Sequence, residues 1–268
     1  MVGSPASASS VSVSTCGGEY PACNMLFVAG NPGSNTGIVA AYNSATGNPT
    51  PVWSNASLTY AATSSPVVSD SEGLVYVQSG PNYDPLHGGT WTGQLIYALD
   101  QSTGINNWMA LPASIPSLPA QPSPCSIGYY HYASGGSPAY DDSNKFVVAS
   151  TSVTYATVCG TTAAGSLLAV YNAHRLNQGG GTLLCSANTS HPIINSSPEV
   201  VNGVIYVGTD DGYILAYDET QCSSGALPLI TTLGPMDSGL EGPPVVSFNR
   251  VHAVSQKGTL YIWHRPGW

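Results

Sequence analysis

Five positions along this 268-residue chain place an amide, an acid or a histidine directly after a bulky residue: Tyr42-Asn43, Leu99-Asp100, Tyr171-Asn172, Tyr217-Asp218 and Trp263-His264. A ring of converging carboxylates could supply general acid–base chemistry or oxygen ligands for calcium. The surroundings point elsewhere. Each pair closes a run of β-forming residues, and Asx side chains at strand ends bond to their own following backbone and close turns. These residues are therefore expected to form turns, and the bulky residue before each to pack. Two other groups carry chemistry of their own. The run Tyr129-Tyr130-His131-Tyr132, and with it Tyr83, His87 and Trp91, could stack on sugar rings or dock a protein partner. Asp237 and Glu241 could hold a metal such as calcium or act as an acid/base pair, although solvated loop charge is the plainer reading. The six histidines form no HxH or HExxH, and neither GxSxG nor a P-loop occurs. No zinc, nucleophile-elbow or phosphate-cradle motif is therefore present, and no residue is assigned a catalytic role.

The elements that must position these residues recur along the chain. Small-Pro or Pro-Pro pairs stand at Ser4-Pro5, Ser65-Pro66, Ser137-Pro138, Ser197-Pro198 and Pro243-Pro244. Each is followed by a β-rich run, a Gly, and a strand ending at one of the five positions above. Unit two is the clearest: strands are predicted from Pro66, over 73–77, over 94–100 and from Asn107, with the Thr103-Gly104 turn before the last. Four short strands joined by Gly-bearing turns are the content of one propeller blade. The chain is thus expected to be all-β, a β-propeller of four-stranded antiparallel blades forming one domain over 1–268. Its units span about 4–60, 65–112, 137–188, 197–233 and 243–268.

Composition narrows the function. Charged residues make up 7% of the chain, and its net charge of −9 leaves only five Lys plus Arg. A phosphate backbone needs several cations to release its counterions, so nucleic-acid binding is excluded, and an anionic membrane surface is disfavoured for the same reason. No run approaches the ~18 apolar residues of a membrane span. Six cysteines without a CxxC, together with sequons at Asn55, Asn188 and Asn195, point to an oxidising compartment, hence a secreted or periplasmic protein. No signal peptide is visible in the sequence.

The pattern Ala-x-Asp-x-x-Thr-Gly-x-x-x-Trp is intact from Ala98 to Trp108; unit one keeps Ala41-x-Asn43-x-x-Thr46-Gly47 with Trp53 two residues late, and unit four keeps Ala216-x-Asp218. It resembles the repeat of the pyrroloquinoline-quinone-type β-propellers, the quinoprotein alcohol dehydrogenase-like group. The resemblance implies that Trp53 and Trp108 dock between neighbouring blades, with Asp100 and Gly104 forming the turn between strands. It also implies, for an enzyme of the group, pyrroloquinoline quinone with calcium or a lanthanide and an acidic base. This chain lacks the adjacent Cys-Cys pair that such enzymes often carry over the quinone. The expectation is therefore a non-catalytic binding scaffold with no cofactor, the alternative being a fragment of a quinone-dependent alcohol or polyol dehydrogenase. Propellers of the group close with roughly seven or eight blades, so five units are either a smaller ring or, as expected here, part of a larger one.

Long insertions at 79–92, 110–136, 151–164 and 234–242 are expected to be loops, mostly on one face, and to contact a protein or glycan ligand. For the cysteines, Cys125 is paired with Cys159 because both lie in insertions of unit three. Cys16 with Cys23 would close a short loop, and Cys185 with Cys222 remains by elimination.

Overall fold

The computed structural model describes residues 11–14, 24–30, 36–59, 64–79, 95–110, 128–133, 136–157, 162–193, 196–240 and 242–265. Sheet one holds β1 (Ser12–Val13), β2 (Met25–Gly30), β3 (Thr36–Asn43) and β4 (Trp53–Thr59). Sheet two holds β5 (Val67–Ser69), β6 (Leu74–Gln78), β7 (Ile96–Asp100) and β8 (Asn106–Ala110). Sheet three comprises β9 (Gly128–Ala133), β10 (Ala139–Asp141), β11 (Phe146–Thr157), β12 (Thr162–Asn172) and β13 (Leu183–Thr189). Sheet four has β14 (Glu199–Val201), β15 (Val204–Gly208), β16 (Ile214–Asp218) and β17 (Leu229–Leu233), and sheet five has β18 (Val245–Ser247), β19 (Arg250–Val254) and β20 (Leu260–His264). Strands neighbour one another in chain order in every sheet, with β9 added beside β11. These are the antiparallel sheets of propeller blades, and the all-β expectation holds.

The reading of the strand ends holds to the residue. β3, β7, β12, β16 and β20 finish at Asn43, Asp100, Asn172, Asp218 and His264. In units two to five the first strand begins directly after the proline of each marker pair. In unit one Ser4-Pro5 lies outside the described residues, and β1 follows Val11 with no proline before it.

Two expectations about loops are corrected. The Tyr129–Tyr132 run is a strand: β9 pairs antiparallel with β11, Tyr130 opposite Tyr155 and His131 opposite Thr154. Likewise the 151–164 insertion is mostly a lengthened hairpin, with β11 reaching Thr157 and β12 starting at Thr162. Consecutive Tyr, Thr, Val and Ser residues have high β propensity, so chain inserted there extends the ladder. Most of the 79–92 and 110–136 insertions lie outside the described residues.

The chain divides into two compact units, one of Met1–Leu111, Tyr140–Val147 and Tyr171–Leu183, the other of Pro112–Ala139, Val148–Val170 and Leu184–Trp268. The first is built on an apolar layer between sheets one and two, with Phe27, Val39, Ala41 and Trp53 against Val75, Val77 and Leu99. The second has a matching layer between sheets four and five, with Tyr206, Ile214 and Ala216 against Val251 and Ala253. These side chains alternate along their strands with residues facing the opposite side, which is how a period of two builds a stack of sheets.

Candidate functional site

The side chains that recur at the strand ends are engaged in turns. Asn43 Oδ1 accepts from the Ala45 and Thr46 amides at 2.9 and 3.2 Å. Asp100 Oδ1 accepts from the Ser102 and Thr103 amides at 3.0 and 3.1 Å, and from both hydroxyls. Asn172 accepts from the His174 amide, and Asp218 from the Thr220 amide, both at 2.9 Å. Partial burial pushes the Asp100 carboxyl up, but the bonds from Ser102, Arg175 and Thr103 outweigh it and hold the group below the usual carboxylate range. A carboxylate so held stays ionised as an acceptor and is a poor proton donor near neutral pH.

The turns after Asp100 and Asn172 also receive an indole from the preceding blade, whereas among the described residues nothing stands over Gly47 in the turn after Asn43. Trp53 Nε1 donates to the Gln101 carbonyl at 2.8 Å, and its ring lies over Gly104, where a Cβ would sit 2.3 Å from Trp53 Cε3. Trp108 Nε1 donates to the His174 carbonyl at 2.8 Å. Its ring lies on Gly180 and Gly181, where added Cβ atoms would come within 2.6 and 3.0 Å of the indole. Trp53, Asp100, Gly104 and Trp108 thus all take part in these turn and ring contacts. The Gly179-Gly180-Gly181 run that receives Trp108 escaped the sequence reading because it stands in a turn without the Thr-Gly of the motif; three successive glycines were the available signal of close backbone approach.

The next interlock is covalent. Asn172 N–H donates to the Thr182 carbonyl as Asp100 N–H does to that of Ile105, and Cys185 stands three residues after Thr182 as Trp108 stands three after Ile105. Cys222 stands four residues after the strand-ending Asp218, as Gly104 does after Asp100. Cys185 and Cys222 form a disulfide, with Cα atoms 5.1 Å apart, and are 1% and 3% exposed. A pair of sulfurs thus occupies the places held elsewhere by an indole and a glycine. The pairing expected by elimination is present; Cys16, Cys23, Cys125 and Cys159 lie outside the described residues.

Two polar clusters could do chemistry. In the first, Lys145 Nζ donates to Ser71 Oγ at 2.7 Å and to Asp142 Oδ1 at 2.6 Å, and the Tyr140 hydroxyl lies 3.0 Å from Ser71 Oγ. A Ser–Lys–Tyr grouping can activate a nucleophile if the lysine is neutral. Here burial would lower the Lys145 ammonium, but its bonds to Asp142 and Tyr140 outweigh that and raise it, while Lys145 and Ser71 hold the Asp142 carboxyl at about 2. The lysine is a cation near neutral pH, and the cluster is an ion pair with two hydroxyls. Because the folded value of Asp142 lies below the unfolded ~3.9, its contribution is full above about pH 5 and falls away as the pH drops towards 2. In Lys145→Met we expect a loss under about 1 kcal/mol at neutral pH, since the carboxyl is largely exposed. The gap between the two urea midpoints should narrow as the pH falls through that window.

The second cluster borders a cleft of about 480 Å³ beside the disulfide, lined by Asn188, Thr189, His191, Tyr217 and Thr232 among others. His191 Nδ1 lies 2.7 Å from Asp211 Oδ2, and its ring packs on Tyr213 with centroids 4.7 Å apart. Among the described residues no hydroxyl bonds its Nε2. The wall mixes apolar Leu215, Leu227 and Leu229 with the hydroxyls of Thr189, Tyr217 and Thr232 and the Asn188 amide.

Of the other expected site residues, Asp237 is the one whose side-chain contacts are described. Asp237 accepts from Thr259 Oγ1 at 2.8 Å, and its backbone N–H donates to the Tyr261 hydroxyl at 2.9 Å. Hydroxyls of Ser255 and Thr259 hold its exposed carboxyl low. Tyr83, His87, Trp91 and Glu241 lie outside the described residues, and of Tyr129, Tyr130, His131 and Tyr132 the strand position alone is described. Among the described residues no three His, Cys, Asp or Glu side chains converge as ligands for a cation. Nor, among them, is any helix long and apolar enough to cross a membrane.

Residues 14–266 match a family of PQQ-type repeats described as outer membrane protein assembly factor BamB. None of the curated proteins matches the sequence. Among solved structures, the fold is similar to quinohemoprotein alcohol dehydrogenase from Comamonas testosteroni (TM-score 0.54, 10% identity, 86% of this chain and 42% of that one). It is similar also to a quinohemoprotein alcohol dehydrogenase from Pseudomonas putida HK5 (0.53, 12%, 97% and 44%) and to a europium-containing methanol dehydrogenase (0.51, 12%, 95% and 50%). The chain spans half or less of each of these three.

Proposed function

The chain belongs to the PQQ-type repeat family described as outer membrane protein assembly factor BamB, and from that premise we propose that it is a non-catalytic binding scaffold acting outside the cytoplasm, secreted or periplasmic. One observation carries the reading: the acids and amides that recur at the strand ends are bound into turns and interlocks, as Asp100 is by Ser102, Thr103 and Arg175. The description of the family as an assembly factor supports a protein partner. The lining of the 480 Å³ cleft supports a carbohydrate as a second ligand class, since it sets hydroxyls and the Asn188 amide beside apolar Leu215, Leu227 and Leu229 and carries no Lys or Arg. The Cys185–Cys222 disulfide supports an oxidising compartment. Domain organisation follows the same reading: one propeller-type assembly of blades, with ligands contacting its long insertions.

The competing reading is a portion of a quinone-dependent alcohol or polyol dehydrogenase, the class of the three solved structures that share the fold. Titration with pyrroloquinoline quinone and calcium, followed by absorbance and by dye reduction with alcohols, separates the two. A scaffold gives no saturable quinone binding and no turnover. Saturable binding with alcohol-dependent dye reduction would overturn it.

A further inference from the structure

The cleft beside the disulfide has walls that are fixed to each other. Residues 186–191 form one side and residues 226–232 another, and Cys185–Cys222 and the Ser186–Ala226 bridge tie the two together. Leu227 N–H donates to the Ser186 carbonyl at 3.0 Å, and Ser186 N–H to that of Gly225 at 3.3 Å. Leu215, Tyr217 and Leu227 form the buried part of the lining, while Leu229, Asn188 and Thr232 are exposed. The volume of about 480 Å³ falls within the roughly 300–1,000 Å³ of small-molecule sites.

His191 in this lining is held from several directions. Its Nδ1 lies 2.7 Å from Asp211 Oδ2, and a carboxylate only accepts, so the neutral ring carries its proton on Nδ1. Asp211 is itself fixed, because its other oxygen accepts from the hydroxyl of fully buried Thr209 at 2.5 Å. That hydroxyl oxygen receives the Tyr213 amide at 2.9 Å, and the Tyr213 ring packs on the imidazole. The His191 backbone N–H donates to Thr189 Oγ1 at 3.0 Å. None of these contacts uses Nε2. The ring is therefore ordered before any ligand arrives, and the polar atom it has left is an acceptor.

An acceptor selects a ligand that donates, and the hydroxyls and amide nearby both donate and accept. The leucines offer an apolar surface to the CH face of a sugar ring. No Lys, Arg, Asp or Glu lines the cleft, and the Asp211 carboxylate behind His191 disfavours an anion. We propose that the cleft binds a neutral saccharide, with His191 Nε2 accepting from a sugar hydroxyl and Asp211 positioning the ring. The proposal rests on the scaffold reading and assigns the residues that would recognise its carbohydrate.

The test uses the oxidised 268-residue chain, with the methyl glycosides of glucose, galactose, mannose and N-acetylglucosamine as calorimetric probes. At least one is expected to bind saturably. The 6-phosphate of the same sugar should bind about tenfold more weakly, since no cation pairs its charge in the cleft. In protein carrying nitrogen-labelled histidine, the Nε2 resonance of His191 should move along the titration while that of Nδ1 stays. His191→Asn keeps a donor for Asp211 but has nothing at the place of Nε2. It should retain the wild-type circular dichroism spectrum and bind about fivefold more weakly, the worth of one hydrogen bond. His191→Gln, whose amide reaches the Nε2 position, should recover part of that loss. Asp211→Ala frees the ring and weakens binding, and Asp211→Asn, which keeps an accepting oxygen, restores it. Binding of none of the probes, equal binding of the phosphate, or binding indifferent to His191→Asn overturns the proposal. Saturable quinone binding with turnover would instead strike at the scaffold reading, so the two failures are distinguishable.

Discussion

Trp108→Ala lowers the unfolding free energy by about 3–5 kcal/mol, the range for truncating a buried tryptophan, read from urea transitions followed by near-ultraviolet circular dichroism. The indole is 4% exposed, donates to the His174 carbonyl, lies 5.8 Å from the Tyr76 ring and covers the Gly180-Gly181 backbone. Truncation removes the ring and leaves a cavity and a half-buried carbonyl without the indole's bond. Trp108→Phe separates these terms. It restores most of the apolar contact, so the remaining deficit should be about 1 kcal/mol, the net worth of the lost hydrogen bond. An alanine variant as stable as the wild type would mean that the blades cohere without the indole.

Cys185→Ala with Cys222→Ala is expected to cost about 3–4 kcal/mol, because the bridge closes a segment with a sequence separation of 37. The same loss should appear on reduction of the wild-type chain with dithiothreitol. The alignment of the bridge with the indole–glycine interlocks sharpens the prediction. Cys185→Trp with Cys222→Gly replaces the sulfurs by the residue pair used in the two preceding interlocks, and should recover about 2 kcal/mol through burial of the ring. Cys185→Trp alone should recover nothing, since the side chain at 222 would stand where the ring must lie. A double replacement no better than the alanine pair would show that the bridge and the indole are not structural equivalents.

Much of the architecture was legible because the signals were local. Asx residues after alternating strands located the ends of β3, β7, β12 and β16, since the side chain that stops the strand also builds the next turn. What escaped depended on partners distant in sequence. Tyr129–Tyr132 became a strand only because β11 runs on to Thr157 and offers it an edge. The Gly179–Gly181 receptor for Trp108 carries none of the motif's letters, and its role depends on an indole some seventy residues earlier. Within the candidate site the same limit shows at Asp237, whose hydrogen-bond partner Thr259 comes from the β19–β20 hairpin and carries no local signal.

The interlocks also bear on how such a chain can be rearranged. Each joint has two halves on successive blades, an indole with a glycine-lined turn or a cysteine with a cysteine, and the half of one kind does not work with the half of the other. Transposing the blade that ends in Cys185 with the one that ends in Trp108 would set a thiol against glycine and an indole against Cys222. Blade order is therefore written into the joints themselves. Chimaeras of such repeats should assemble only when cut within a blade, between its turn and its outer strand, so that both halves of every joint travel together.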